Sequence, residues 1–198
     1  GALQTVTTLW SFECEDEIRG TPLYHDGNIY VGYYDNNLYA LNGLTGEFLW
    51  KYPTEGGIVG KPSAYEGNIF FGSEDKRLHV ISQRSGKMIW TYSAEGPIRS
   101  STQIAEGHIF FGSDDGFLHA VNTLSGRRAW RVDAGMPIRS TPAIHEDMIY
   151  FGTEAGEVYC VDLGSKVKWR FRAKRAVTSS PSILRNTVFV GSVDGSLY

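Results

Sequence analysis

The 198-residue chain holds only two cysteines, Cys14 and Cys160, too few for a disulfide framework or a zinc-ligand set. No uninterrupted apolar run approaches the roughly 18 residues that a membrane-spanning helix requires. A basic excess is also missing. Nineteen Lys+Arg stand against 22 Asp+Glu, a net charge of −3, which argues against a general nucleic-acid surface. The N-terminus, Gly1-Ala2-Leu3-Gln4, has neither an initiating Met nor the basic and apolar regions of a signal peptide, so prior cleavage or excision from a longer protein stays open. There is no Asn-x-Ser/Thr acceptor, Gly-x-Ser-x-Gly, His-Glu-x-x-His, phosphate loop or Cys-x-x-Cys. With 41% hydrophobic and 13% aromatic residues, neither disorder nor a collagen-like fibre fits. What remains is a Gly-rich, aromatic-rich globular chain.

Its main signal is self-similarity. All five tryptophans, Trp10, Trp50, Trp90, Trp130 and Trp169, are separated by 40, 40, 40 and 39 residues. Gly32, Gly72, Gly112, Gly152 and Gly191 keep the same spacing, as do Pro22, Pro62, Pro142 and Pro181, with Thr102 in the third copy. The one-residue shortening falls before Trp169, where Leu163-Gly164-Ser165 replaces Leu44-Thr45-Gly46-Glu47. One unit is repeated five times.

Within the unit the apolar runs have strand length. The first copy predicts strands over 18–24, 29–33, 38–41 and 48–52. Asp115-Gly116 and Asp194-Gly195 mark hairpin turns, and no segment sustains helical periodicity. Four short antiparallel strands per roughly 40 residues describe one blade of a β-propeller, so the expected fold is all-β, a single domain over 1–198. Blades pack on both faces, which explains unbroken apolar runs such as Ile109-Phe110-Phe111. Trp10 lies in a fourth strand without three predecessors, whereas 177–183, 188–192 and Leu197-Tyr198 supply three strands without a fourth. A strand over 7–12 that completes the last blade would close a five-bladed ring. The alternative is an arc cut in repeat register from a seven- or eight-bladed ring.

A tryptophan recurring at one position reads as a structural rivet between blades. Burying one removes roughly 150–250 Å² from water, an upper bound of about 4–6 kcal/mol each. The run from Ala120 through Asn122, Ser125-Gly126 and Trp130 implies a tight turn at Gly46, Gly86 and Gly126 that presents the indole to small residues. This pattern, Ala-x-Asn/Asp-x-x-Thr/Ser-Gly-x-x-x-Trp, with Gly-x-Ile-Phe-Phe-Gly-Ser-x-Asp-Gly-x-Leu upstream, resembles the tryptophan-docking repeat of pyrroloquinoline-quinone-like, or quinoprotein-type, propellers. The resemblance covers essentially the whole chain. It implies one of three settings: a quinone-dependent dehydrogenase, the outer-membrane assembly lipoprotein propeller, or a sensory or interaction propeller of bacterial signalling proteins. It also implies a bacterial, periplasmic or extracellular location. The dehydrogenases need larger rings, a metal and often an adjacent-cysteine pair, whereas Cys14 and Cys160 are 146 positions apart. Asp35, Asp75, Asp114, Asp115 and Asp194 recur at turns, where local turn chemistry accounts for them.

No catalytic residue, metal site or cofactor is therefore expected. His79 and His119 share a repeat position with Tyr39, Tyr159 and Tyr198, which reads as packing; His25, His108 and His145 flank the first turn and read as solvated. Arg19, Arg99 and Arg139 share another position, beside Ile18, Ile98 and Ile138, where the first strand lines the axis. Together with Ser100 and Ser140 they form a candidate axial site for a small anion or an acidic peptide. Alternatively, each pairs with an acid such as Glu17, Glu55 or Glu95, or reaches water. The loops over 13–17, 54–57, 93–96, 133–136 and 173–176 vary most between copies and share a face with Lys76-Arg77 and Lys174-Arg175. Variable loops on a rigid frame are where recognition concentrates. The expected function is a non-catalytic binding, scaffold or sensor module that takes a protein or peptide on this face, without nucleic acid and without a membrane span. A fragment of a quinone-dependent dehydrogenase is the alternative.

Overall fold

The computed structural model describes residues 18–173, 180–191 and 197–198. These residues form strands and turns without a helix, so none of them offers a helix long and apolar enough to cross a membrane. The first blade comprises β1 (Leu23–His25), β2 (Asn28–Gly32), β3 (Asn37–Asn42) and β4 (Phe48–Pro53), antiparallel in that order. The second repeats this with β5 (Ser63–Tyr65), β6 (Asn68–Gly72), β7 (Arg77–Ser82) and β8 (Met88–Ser93). The third has β9 (Gln103–Ala105), β10 (His108–Gly112), β11 (Phe117–Asn122) and β12 (Arg128–Asp133), and the fourth β13 (Ala143–His145), β14 (Met148–Gly152), β15 (Glu157–Asp162) and β16 (Val167–Arg172). A hairpin, β17 (Ser182–Leu184) and β18 (Thr187–Phe189), begins a fifth unit, and Gly191 bridges Leu197 as its third strand would. The all-β propeller architecture is thus present. The proposed closing strand over 7–12, Trp10 and the loop over 13–17 lie outside the described residues.

Local chemistry sets the turns. The hairpins joining first and second strands have two successive residues at positive φ, Asp26 (48°) and Gly27 (76°) in blade one, which matches the twist of the flanking strands. Glu66-Gly67, Glu106-Gly107, Glu146-Asp147 and Arg185-Asn186 repeat it. The innermost strand is shorter than the expected 18–24: only Leu23–His25 pairs continuously. Ahead of it, Ile18 bridges Tyr33, and the N–H groups of Arg19 and Gly20 donate to Gly32 O. Pro22 brings no N–H to the ladder, so pairing breaks there.

The core lies between blades. Tyr30, Leu38 and Ala40 of blade one meet Ile58, Ile69, Phe71 and Ile81; Phe70, Leu78 and Val80 meet Ile98, Ile109, Phe111 and Val121 at the next junction. Phe110, Leu118 and Ala120 meet Ile138, Ile149, Phe151 and Val161 at the third. The recurring glycine of the second strand has a steric cause: a Cβ at Gly32, Gly72 or Gly112 would overlap Ile58, Ile98 or Ile138. The innermost strands β5, β9, β13 and β17 lie side by side in succession. Here Lys61 N–H donates to Ser101 Oγ and Thr141 N–H to Ser180 Oγ, tying neighbouring units together.

Candidate functional site

The tryptophans act at the junctions. A register shift opposite Ala40/Leu41, repeated at Val80/Ile81, Ala120/Val121 and Cys160/Val161, inserts one unpaired residue just before each indole. Such a bulge re-aims the side chain that follows it, and nothing in the spacing announced it. Trp50 Nε1–H donates to Gln83 O and Trp130 Nε1–H to Leu163 O, in each case on the following blade. The Trp50 ring lies over Gly86 and Trp90 over Gly126; both glycines have φ near +70°, and a Cβ would come within 3 Å of the indole. Gly46 keeps the same conformation, at φ 72°. In the shortened copy Ser165 takes it, at φ 82°. Trp169 is 41% exposed, unlike its half-buried counterparts.

Toward the variable-loop face the first two junctions each hold a polar group. Tyr52 of β4 reaches His79 of β7 at 3.0 Å, and His79 Nε2 reaches Asp75 at 2.9 Å; Tyr92, His119 and Asp115 repeat this at 2.9 Å throughout. An ionised carboxylate only accepts, so Nε2 carries a proton toward the aspartate, and the Tyr hydroxyl engages the other ring nitrogen, Nδ1. His79 and His119 are 3% and 1% exposed and stack on Phe71 and Phe111. Burial opposes ionisation of Asp75, but the His79 hydrogen bond and charge, with the backbone N–H groups of Arg77 and Glu55, hold its carboxyl below the usual range. Asp115 is held down in the same way by His119, Phe117 and Glu95, while burial pushes the Tyr52 and Tyr92 hydroxyls up. Both histidines pack, as expected, and each also links two blades. The signal was in the copies: Tyr at 52 and 92 accompanies His at 79 and 119, whereas Val132 accompanies Tyr159.

The arginines form a chain of ion pairs. Arg19 meets Glu74 at 2.5 Å, and Arg99 joins Glu74 (2.8 Å) to Asp114. Arg139 reaches Asp114 through Nε and Nη2, each at 3.0 Å. The acids come from one repeat position, 34, 74, 114 and 154, where Tyr34 instead lies 5.5 Å under the Arg19 guanidinium. Val59 leaves a gap in the arginine series, and Arg19 spans it over Gly57, where a Cβ would overlap its guanidinium. The pairing partners among the described residues are therefore Glu74 and Asp114, not Glu55 or Glu95, while Glu17 lies outside the described residues, and an anion entering here has to displace a carboxylate. Ser100 and Ser140 are each 1% exposed; Ser100 Oγ accepts from Gly112 N–H, and Ser140 Oγ bonds both N–H and C=O of Gly152. Both serines secure their own blade. Cys160 is buried, and burial raises its thiol.

The third junction breaks the pattern. Val132, Ala155 and Tyr159 replace Tyr, Asp and His, and Tyr159 Oη donates to Glu157 at 2.8 Å. At the first two junctions Gly56 and Gly96 press on the backbone of Asp75 and Asp115, whose carboxylates accept from Glu55 and Glu95 N–H. Without a carboxylate at 155, Gly135 (φ 75°) donates instead to Asp133 at 2.8 Å, and Met136 stands 45% exposed. The outcome is a groove of about 570 Å³ bounded by Asp133, Met136, Ala155, Glu157, Arg170 and Arg172.

Repeat, bulge and indole docking agree with sequence comparison: residues 2–60 and 114–198 match a model of PQQ-like repeats described as outer membrane protein assembly factor BamB. The chain belongs to this PQQ-like repeat family. No protein among those with curated functions matches it. Among solved structures, BamB from Moraxella catarrhalis superposes with a TM-score of 0.86 at 19% identity, over 95% of this chain and 62% of that one. The likeness shows a shared PQQ-like propeller fold, and this chain spans less than two thirds of that protein's length.

Proposed function

We propose that this chain is a non-catalytic scaffold of the BamB type, serving outer-membrane protein assembly by holding a partner protein on its variable-loop face. One observation carries the reading: four blades repeat the same strand lengths and order, while the loops between fourth and first strands, Thr-Glu-Gly-Gly and Ala-Glu-Gly-Pro at the first two junctions, change to Ala-Gly-Met-Pro at the third, whose loop-side end is open. The groups suited to acid–base work support it as well, because His79 and His119 are buried with both ring nitrogens engaged. Family membership supports the assembly setting.

Photo-crosslinkers placed at Glu95 and Met136, on the loop face, and at Arg84 and Lys87, on the opposite rim, test this in a bacterial envelope. Adducts with outer-membrane assembly proteins should form from the loop face. Adducts confined to the opposite rim, or a saturable thermal shift with pyrroloquinoline quinone and calcium, would overturn the proposal.

A further inference from the structure

The third junction also indicates what kind of partner segment it receives. Arg170 and Arg172 lie two residues apart on β16, so their side chains project to the same side of the strand. Both are exposed and both bound the groove. Their setting differs from that of Arg19, Arg99 and Arg139, each of which has a carboxylate. Among the described residues, no carboxylate lies within ion-pair distance of Arg170 or Arg172; Arg170 lies opposite Tyr159, whose hydroxyl, with the nearby Glu157, stabilises its charge, and Glu157 faces Arg172 across the strand pair. The two acids at the margin are already engaged in the wall, Asp133 by Gly135 N–H and Glu157 by the Tyr159 hydroxyl. The opposite wall offers Met136, a flexible apolar side chain that adapts to what lies against it. β16 is the last strand of its sheet, so an extended chain laid along it finds open backbone donors and acceptors.

We infer that the groove between the β12–β13 loop and β16 binds an extended acidic segment of a partner protein, whose carboxylates pair with Arg170 and Arg172. A guanidinium meets a carboxylate in two parallel hydrogen bonds, and a segment with acids at alternate positions presents them on one side at the spacing of these arginines. The assignment rests on the scaffold reading above and names the chemistry its loop face recognises.

Fluorescence anisotropy with a short labelled peptide alternating Asp and Val tests it, with Lys–Val and Ser–Val peptides as controls. The acidic peptide should bind, lose affinity as NaCl rises, and bind about tenfold or more weakly to Arg170→Ser/Arg172→Ser. Ala155→Asp, which adds a carboxylate to the groove, should weaken it in the same direction and serves if the double variant fails to fold. Equal affinity for wild type and these variants, equal affinity for the three peptides, or no binding of the acidic peptide overturns the inference. If the loop-face cross-links persist while the acidic peptide does not bind, only this inference falls. If the peptide binds as expected but no loop-face adduct forms with an assembly protein, the assembly reading falls instead.

Discussion

The first two blade junctions and the third are built from the same repeat yet finished differently. At the first two, a tyrosine, a histidine and an aspartate fill the loop-side end and exclude solvent. At the third, Val132, Ala155 and Tyr159 keep the ring stack on Phe151 (5.1 Å, nearly parallel) but leave a groove. The deeper packing does not change, since Ile138 occupies the third junction as Ile58 and Ile98 do theirs. A propeller can thus open one junction locally without loosening its frame, because the apolar core and indole contact lie apart from the polar end.

If that separation holds, removing an indole should be the most damaging change and should cost about the same at plugged and open junctions. Trp50→Ala and Trp130→Ala should each lose about 3 kcal/mol in urea unfolding. A much smaller loss for Trp130→Ala would show that the open junction is also weakly held.

Next in size come the plugs. Asp75 and Asp115 have folded-state values below the ordinary carboxyl range, so their contribution is present above about pH 4 and lost as pH falls through those lower values. Asp115→Asn should cost about 1–3 kcal/mol at neutral pH. Asp75→Asn/Asp115→Asn should also flatten the acid side of the stability–pH curve, leaving the part due to Asp35 and Asp162. An unchanged acid limb would remove the ionised carboxylates from the account.

A transplant sharpens the contrast. Val132→Tyr/Ala155→Asp/Tyr159→His should rebuild the plug at the third junction and raise stability by about 1 kcal/mol. Loss of stability in the triple variant would mean that the Met136 loop, not the missing side chains, shapes the groove.

The smallest effect is expected from the arginine chain. Its side chains are partly exposed, so Glu74→Gln should cost about 1 kcal/mol or less, and the difference should shrink with added salt. A salt-independent loss would place Glu74 in a tighter structural role.

Much of this was legible in the sequence. Tryptophan spacing, strand-length apolar runs and Asp-Gly turns are local properties, and they identified blades, junctions and family. The arginine partners were not legible, because Arg99 and Arg139 pair with acids 25 positions earlier, on the preceding blade, rather than with nearby Glu95 or Glu55. The burial of Ser100 and Ser140 escaped for a related reason: a small polar residue suits an open channel and an internal backbone bond equally well. The Tyr–His–Asp groups were readable only by comparing position 52 with 79 and 92 with 119, a correlation across adjacent copies.

Spacing and backbone chemistry within about 40 residues specify the repeating unit, its strands, the side chains that face a neighbour and the residues able to take positive φ. Only the folded arrangement decides which charges pair across blades, which polar side chains are sealed in, and that the loop-side end of the third junction is open. Those outcomes depend on the distance and angle between successive sheets, and a guanidinium, hydroxyl or carboxylate reaches whatever that geometry brings near it.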